Sequence, residues 1–335
     1  MTLRLRALVL AAGRGERLRP LTESIPKPLL PVAGRSIAAR TLDALAAAGC
    51  EAAALNLFHL GGEIPAALGE RHGRMPLVYS REPVLLGTLG ALGPLREFLG
   101  AADLVLLVNG DSLCDWPWRQ MIARHRRTGA AATLLLTSRA KLGEFGGGVG
   151  VDAGGRVVAL RGERFAPARR VAAERVFAGA HVLDPQLLAR VPDGPGDILD
   201  GLYLPLLREG RKLQTLTTRR RWHDLGTPRR YLEAALDLAL GARNGSWLGA
   251  AARIAPGARV RRAVLEGDAR IAPGADVEDA LLLPAATIGT GARVARAVIG
   301  PDTEVPAGAT IVGQLVVHAG RGGLARAPLD PPARR

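Results

Sequence analysis

The chain has 335 residues, of which 48% are apolar and 4% aromatic; this predicts two domains, or one large domain with an extension, around a core of Ala, Leu and Val. No apolar run is long enough to cross a bilayer, so we expect no membrane partner. The net charge is +14, but the basic residues are scattered with little aromatic interleaving, which argues against a nucleic-acid partner and favours small phosphorylated ligands.

Apolar runs alternate with helical patterns over the first two thirds of the chain. Strands are predicted at residues 5–10, 53–57, 76–79, 103–111 and 131–137, and helices at 36–49, 61–71, 88–99 and 116–127. Strands near 149–160 and 171–182, helices near 185–190 and 198–210, a strand at 219–226 and a helix at 228–240 follow. This alternation predicts an α/β fold with a doubly wound, mostly parallel sheet, in which ligands bind at the carboxyl ends of strands.

An internal repeat begins after residue 243. IAPGARV, IAPGADV, IGTGARV and VPAGATI start 17 residues apart, at Ile254, Ile271, Ile288 and Val305. Inward apolar residues and turn glycines at this period predict coils of three short strands. The pattern resembles the hexapeptide-repeat, left-handed β-helix family. We therefore expect domains at 1–243 and 250–320, and a disordered tail at 321–335.

Residues 13–32, GRGERLRPLTESIPKPLLPV, follow the first strand. Gly13 and Gly15 allow consecutive backbone N–H groups to point into one anion-binding concavity. Three prolines oppose a following helix. The dinucleotide fingerprint fails because it needs a third glycine and an immediate helix, and the P-loop pattern fails because no Gly-Lys-Ser/Thr occurs. Arg17 and Lys27 add positive charge. Lys27 is one of three lysines among 45 basic side chains, which indicates that a compact ammonium is needed there.

This string resembles the signature of the sugar-nucleotide pyrophosphorylases, nucleotidyltransferases with a Rossmann-like domain, over about residues 1–240. The mannose-1-phosphate guanylyltransferase-like enzymes, which are similar also in the repeat, and the uridylyltransferases acting on N-acetylmuramate 1-phosphate are the nearest subgroups. The resemblance implies that a sugar 1-phosphate oxygen attacks the α-phosphorus of a nucleoside triphosphate and pyrophosphate leaves. Two anions must meet, so catalysis is mainly positioning and charge neutralisation, without a protein nucleophile.

The resemblance also assigns roles to the charged residues. Arg17 matches the arginine that grips the triphosphate, and Lys27 matches the lysine beside the α-phosphate and the sugar phosphate. Asp111, directly after Gly110, and Asp224, two residues before Gly226, lie at strand ends and match the aspartates that bind Mg²⁺, whose preferred ligands are carboxylate, phosphate and water oxygens. Each aspartate is alternatively a turn or helix cap, as Asp115 is expected to be. We expect both cations and both carboxylates to share one cleft.

Further segments match the places where the family contacts the base and the sugar of its substrates. Glu82 would accept hydrogen bonds from the N1–H and N2 amine of guanine, or alternatively cap a surface helix. The usual sugar-phosphate lysine has no counterpart in LRGERF, so Arg164 or Arg161 replaces it or the contact is absent. Asn56 and His59 lie at a strand end. One of them is a candidate for contact with the substrate, but a hydrogen-bonded structural histidine is the favoured interpretation. The nucleotide-binding set is Leu10, Ala11, Ala12, Gly13, Gly15, Glu82, Gly87 and Thr88, and the sugar-phosphate set is Gly147, Arg164 and Gly179.

The expected activity is condensation of GTP and mannose 1-phosphate to GDP-mannose and pyrophosphate. Alternatives are a uridylyl- or thymidylyltransferase acting on glucose 1-phosphate or N-acetylmuramate 1-phosphate, and a non-catalytic regulatory subunit of the same fold. Four short coils and the lone His318 disfavour an added acetyltransferase, and we expect the β-helix to form a homo-oligomer instead. Cys50 and Cys114 imply no disulfide framework and a cytoplasmic location.

Overall fold

The computed structural model describes residues 3–145, 147–165, 170–242, 245–320 and 323–330. These residues form two compact units. Unit 1 holds the residues up to Gly13 together with Ala38–Trp222, and unit 2 holds Arg14–Ile37 together with the residues from His223 onward. Contacts assign the early cationic loop to the unit that carries the repeat. No helix within the described ranges has the length and apolarity that a bilayer crossing requires.

The strands and helices have the following bounds. The strands are β1 (Leu5–Leu10), β2 (Pro31–Val32), β3 (Arg35–Ser36), β4 (Ala52–Leu57), β5 (Arg71–His72), β6 (Met75–Arg81), β7 (Leu104–Asn109), β8 (Ser112–Cys114), β9 (Ala132–Thr137), β10 (Val149–Val151), β11 (Val157–Leu160), β12 (Glu163–Arg164), β13 (Ala173–Leu183), β14 (Leu213–Thr218), β15 (Trp222–Asp224), β16 (Trp247–Leu248), β17 (Arg253–Ile254), β18 (Arg259–Leu265), β19 (Arg270–Ile271), β20 (Asp276–Leu282), β21 (Thr287–Ile288), β22 (Arg293–Ile299), β23 (Glu304–Val305), β24 (Thr310–Val312), β25 (Gln314–His318) and β26 (Leu324–Pro328). The helices are α1 (Ile37–Ala47), α2 (Glu63–Leu68), α3 (Gly87–Gly90), α4 (Arg96–Gly100), α5 (Trp118–Thr128), α6 (Leu204–Arg208) and α7 (Pro228–Ala239). Shorter 3₁₀ turns lie at Glu16–Leu18, Leu21–Glu23, Lys27–Leu29, Leu142–Glu144 and Pro185–Arg190, and a π turn lies at Leu199–Tyr203.

Unit 1 is built on a mixed sheet whose centre is parallel. Strands β7, β1, β4 and β6 pair in that order, all parallel, which confirms the predicted α/β class. Strand β13 lies antiparallel between β7 and β9, and β14 continues the sheet parallel to β9. Near-continuous apolar runs such as Leu104–Asn109 are explained by burial on both faces of the sheet. The carboxyl ends of β1, β4 and β7 therefore lie side by side.

Two predicted helices are shorter than their apolar patterns indicated. The helix expected over 61–71 ends at Leu68, because Gly69 has a φ of 70°, a non-helical backbone conformation that favours glycine. The helix expected over 88–99 is divided into α3 and α4. Pro94 lies between them, and a proline there opposes continuous helix through its own ring and through the residue before it.

Unit 2 contains a parallel β-helix whose register confirms the 17-residue repeat. Arg253 pairs with Arg270, Arg270 with Thr287, and Thr287 with Glu304. The inward positions Ile271, Ile288 and Val305 are at most 2% exposed, whereas Ile254 in the first coil is 38% exposed. A coil at the end of a solenoid has a neighbour on one side only, which accounts for this difference. Helix α7 packs against β18, β20 and β22.

The end of the chain contains a strand where disorder was expected. Leu324–Pro328 pairs antiparallel with β25. The backbone N–H of Arg229, in the first turn of α7, donates to the carbonyl of Leu329 at 3.1 Å. First-turn N–H groups lack a partner within their helix, so the C-terminal segment supplies one. The composition suggested disorder because it lacks an apolar period of its own. Residues 321–322 and 331–335 lie outside the described ranges.

Candidate active site

The residues after β1 are held by a buried asparagine at the end of β4. Ala11 and Ala12 are 2% and 3% exposed. The backbone N–H of Ala11 donates to Asn56 Oδ1 at 2.7 Å. This N–H therefore already has a partner within the protein. Asn56 is recognisable from the sequence as a strand-end candidate, but no local pattern indicates this structural role.

Glu82 joins the same asparagine to the segment before α3. Its Oε1 accepts from Asn56 Nδ2 at 2.8 Å, and its Oε2 accepts from the backbone N–H of Leu86 at 2.9 Å. The side chain is buried, and hydrogen bonding to both oxygens offsets the cost of burying a carboxylate. Glu82 is thus placed as a positioning residue for two loops. Its contact with a base edge stays a prediction.

Replacing Asn56 with alanine is expected to lower the free energy of unfolding by about 1–3 kcal/mol, because Ala11 N–H and Glu82 lose a buried partner together. Urea unfolding measures this change. Gln120→Ala is the matched control, since Gln120 carries an amide on the exposed face of α5 and should be nearly neutral. Equal stabilities of the two variants would contradict a structural role for the Asn56 hydrogen bonds.

Gly87 and Thr88 contact the loop at residues 196–198, which precedes the π turn. Gly87 has a φ of 73°, and a Cβ there would lie 2.6 Å from the carbonyl oxygen of Gly196. Thr88 Oγ1 accepts from the backbone N–H of Ile198 at 2.8 Å and donates to Asp197 Oδ2 at 3.3 Å. Glycine at position 87 is thus required by packing within the protein as well as by its conformation.

Asp111 follows β7 at a point where β1 and β7 remain in close contact. The backbone N–H of Gly110 donates to the carbonyl of Leu10 at 2.9 Å, and a Cβ on Gly110 would lie 2.6 Å from that oxygen. Gly179, at an irregularity in β13, has a φ of 83° and lies against Asn109 and Ser112. Asp111 and one predicted sugar-side glycine are therefore close neighbours of the β7 end.

The other sugar-side candidates, Arg161 and Arg164, differ in whether they form ion pairs. Arg161 pairs with Asp200 at 3.2 Å and with Asp197 at 3.7 Å. Arg164 lies exposed on β12 and makes no ion pair within the described residues. Of the two arginines, Arg164 is therefore the one without a carboxylate partner in the part of the chain that the structure describes. Gly147 has a φ of 117°, with space around its α-carbon.

In unit 2, a left-handed glycine starts the cationic loop. Gly15 has a φ of 63°, and its carbonyl accepts from Thr22 Oγ1 at 2.8 Å. A Cβ at this position would lie 2.8 Å from Thr22 Cγ2, so both conformation and packing favour glycine. The chain then enters the 3₁₀ turn Glu16–Leu18, which leaves Arg17 exposed.

Lys27 is a buried lysine held by prolines. It is 8% exposed and begins the 3₁₀ turn Lys27–Leu29, between Pro26 and Pro28. The N–H of Leu30 donates to the Lys27 carbonyl at 3.1 Å, which closes the turn. Lysines are seldom buried unless their charge is compensated, and the fixed φ of the flanking prolines reduces the entropy lost on ordering this one.

Arg17 and Asp224 meet across Gly226. A Cβ on Gly226 would lie 2.6 Å from Arg17 Nη2, and it would lie closer still to Asp224 Oδ1. Asp224 Oδ1 also accepts from the backbone N–H of Gly226 at 2.7 Å and pairs with Arg230 Nη1 at 3.1 Å. The structure thus brings together two residues that the sequence assigned to one cleft. Arg230, which the sequence did not single out, is a third member.

The local sequence explains why α7 begins next to this cluster. Thr227 is the N-cap, its Oγ1 accepting from the N–H of Arg230, and Pro228 occupies the first turn. Arg230 therefore lies on the first turn of the helix. A positive residue three positions after an N-cap threonine is the signal that would have indicated it.

The two proposed metal ligands fit Mg²⁺ in their chemistry. Asp111 and Asp224 offer hard carboxylate oxygens, and magnesium is commonly held by one or two carboxylates together with phosphate oxygens and waters. The contacts of Asp224 within the described residues all involve Oδ1, which leaves Oδ2 for a cation. Those residues contain no cluster of three or more His, Cys, Asp or Glu side chains suited to a metal.

Neither cysteine offers a nucleophile. Burial raises the pKa of Cys50 and of Cys114 to about 12, so both thiols stay protonated near neutral pH. Cys114 therefore acts as a small packed side chain, and the structure gives no reason to assign it reactivity.

Two family models match this chain. The family described as nucleotidyl transferase matches residues 6–240, and the family described as GlmU-like, C-terminal hexapeptide matches residues 240–317. The chain belongs to the nucleotidyl transferase family, which confirms the resemblance drawn from the sequence.

Two similar proteins each match about two thirds of this chain. The mannose-1-phosphate guanylyltransferase catalytic subunit beta of Drosophila pseudoobscura pseudoobscura is 29% identical over 230 residues, covering 68% of this chain and 60% of that protein. The probable mannose-1-phosphate guanylyltransferase 2 of Arabidopsis thaliana is 30% identical over 241 residues, covering 68% and 63%. The match thus spans less than two thirds of either relative. HddC from Yersinia pseudotuberculosis shares the fold, with a TM-score of 0.57 and 19% identity over 70% of this chain and 99% of that one.

Proposed function

We propose that this protein is a sugar-1-phosphate nucleotidyltransferase, which joins a nucleoside triphosphate to a sugar 1-phosphate and releases pyrophosphate. The observation that carries the proposal is the meeting of Arg17 and Asp224 at Gly226, where a cation and a carboxylate stand side by side at the start of a helix. Membership of the nucleotidyl transferase family supports the reaction class.

The proposed roles follow from the charge of the reactants. Both substrates are anionic, and the attacking phosphate oxygen is already ionised, so the protein has to offset repulsion and align the reactants. Arg17 binds oxygens of the triphosphate and of the leaving pyrophosphate, and Lys27 binds the α-phosphate and the sugar phosphate. Asp111 and Asp224 would hold Mg²⁺, which when bound supplies further positive charge to the phosphate oxygens.

The base and the sugar are proposed from the relatives. Their printed names favour GTP and mannose 1-phosphate. Glu82 adds little support for guanine, because each of its oxygens already accepts a hydrogen bond from the protein. Uridylyl or thymidylyl transfer to glucose 1-phosphate or N-acetylmuramate 1-phosphate is the alternative. A regulatory subunit is disfavoured because Arg17, Lys27, Asp111 and Asp224 are all present.

An activity matrix tests the proposal. The protein is incubated with Mg²⁺, each nucleoside triphosphate and each of the three sugar phosphates, and pyrophosphate release is measured. We expect release with GTP and mannose 1-phosphate, its loss with EDTA, and a fall of about 10²-fold or more in Asp111→Asn, which keeps the shape of the side chain. Asp193→Asn, on an exposed loop of unit 1, is the control. Absence of release with every pair would refute the proposed activity.

A further inference from the structure

Glu266 departs from the repeat that surrounds it. The positions 17 residues before and after it are Gly249 and Leu283, and Leu283 is fully buried. Glu266 is itself 1% exposed. A carboxylate at such a position costs free energy unless hydrogen bonds satisfy it. The departure therefore suggests that this side chain has a partner outside the coil to which it belongs.

That partner is the hairpin that ends the cationic loop. Glu266 Oε2 accepts from the backbone N–H of Gly34 at 2.8 Å. Gly34 lies between β2 and β3 with a φ of 80°, and a Cβ there would lie 2.9 Å from Trp247 Cζ2. The β-helix thus contacts this turn through both a buried carboxylate and an indole ring.

A second hydrogen bond links the same hairpin to α7. Tyr231 Oη donates to the carbonyl of Pro31 at 2.6 Å. Tyr231 is fully buried, and burial, together with the nearby Glu266 carboxylate, raises its pKa well above the usual range, so the hydroxyl keeps its proton. The hairpin strands pair at Pro31–Ser36 and Val32–Arg35, and the N–H of Ile37 donates to the carbonyl of Leu30.

We propose that Glu266 is a positioning residue for the catalytic lysine turn. The hairpin that Glu266 contacts begins at Pro31, four residues after Lys27. Because Lys27–Leu29 form a 3₁₀ turn, only Leu30 connects the lysine turn to the hairpin. The hexapeptide repeat is then part of the catalytic machinery through this bond, in addition to any role in self-association. The inference rests on the proposed function, because it assigns Lys27 its part in nucleotidyl transfer.

The test combines kinetics with hydrogen exchange in the full chain. Glu266→Ala is expected to speed amide exchange in residues 30–37 and to lower kcat by about ten-fold or more, with a smaller change in KM for the triphosphate. Glu266→Gln keeps an acceptor for Gly34 and should regain most of the activity. Glu278→Ala, a half-exposed carboxylate of the same β-helix, is the control and should change neither readout.

Tyr231→Phe provides a second route if Glu266→Ala fails to fold. It removes the bond to Pro31 while keeping the ring, so exchange in the same peptide should rise and kcat should fall by a smaller factor. If amide exchange in residues 30–37 stays at the wild-type rate in both variants, the Glu266 and Tyr231 hydrogen bonds do not hold the hairpin in place. If exchange becomes faster but kcat is unchanged, the positioning role is wrong. If the wild-type protein is inactive with every substrate pair, the proposed function is refuted instead. The exchange data would still show whether Glu266 and Tyr231 stabilise the hairpin.

Discussion

Replacing Lys27 with alanine is expected to lower kcat by about 10²- to 10³-fold, the loss typical of removing one preorganised group that stabilises charge in the transition state. Lys27 is 8% exposed and lies between two prolines, so its backbone is held in place before substrates bind. Lys27→Arg should recover little activity, because the planar guanidinium needs more room than the ammonium it replaces. Pyrophosphate release under saturating substrates measures both variants.

Lys141→Ala is the matched control for this prediction. Lys141 is an exposed lysine of unit 1, and its removal changes the net charge of the protein by the same amount. Wild-type kcat in Lys141→Ala with loss in Lys27→Ala separates a local role from a general effect of charge on substrate attraction. Comparable kcat values for the two variants would remove Lys27 from the proposed catalytic set.

Replacing Gly226 with alanine is expected to lower kcat by about 10²-fold, since small displacements of catalytic groups cost this much. The added methyl group would lie 2.6 Å from Arg17 Nη2 and against Asp224 Oδ1, so at least one of the two side chains has to move. Overpacking at this site should also lower the free energy of unfolding by about 1–3 kcal/mol. Steady-state kinetics and urea unfolding report the two effects separately.

Gly241→Ala isolates the cause of that loss. Gly241 has open space around its α-carbon, so the same substitution there adds a methyl group without a collision. It should leave kcat and stability close to those of the wild type. If Gly226→Ala also retained wild-type kcat, Arg17 and Asp224 would not need their present arrangement for turnover.

The repeat and the parallel sheet could be predicted because their signals are periodic. The 17-residue spacing of Ile271, Ile288 and Val305 is reproduced in the strand register, and the apolar run at Leu104–Asn109 is a buried strand. The strand-end position of Asp111, next to Gly110 after β7, could also be recognised as a candidate site, because parallel strands direct their carboxyl ends to one edge.

The remaining features depend on partners that are distant in sequence. Glu82 accepts hydrogen bonds from Asn56 and from the backbone of Leu86, and the bond to Asn56 depends on the pairing of β4 with β6. No local sequence pattern predicts that pairing. The strand at Leu324–Pro328 forms because β25 offers an open edge, so its own composition gave no signal. The assignment of Arg14–Ile37 to the unit of the β-helix likewise required the contacts themselves.

That assignment has a consequence for biosynthesis. Residues 14–37 leave the ribosome early, but the side chains that hold their hairpin, Tyr231 and Glu266, are translated roughly two hundred residues later, a delay on the order of tens of seconds at common elongation rates. A nascent chain that has finished the parallel sheet therefore still carries an unanchored Lys27 turn. Nascent or prematurely terminated polypeptides should remain inactive until the first coil has emerged.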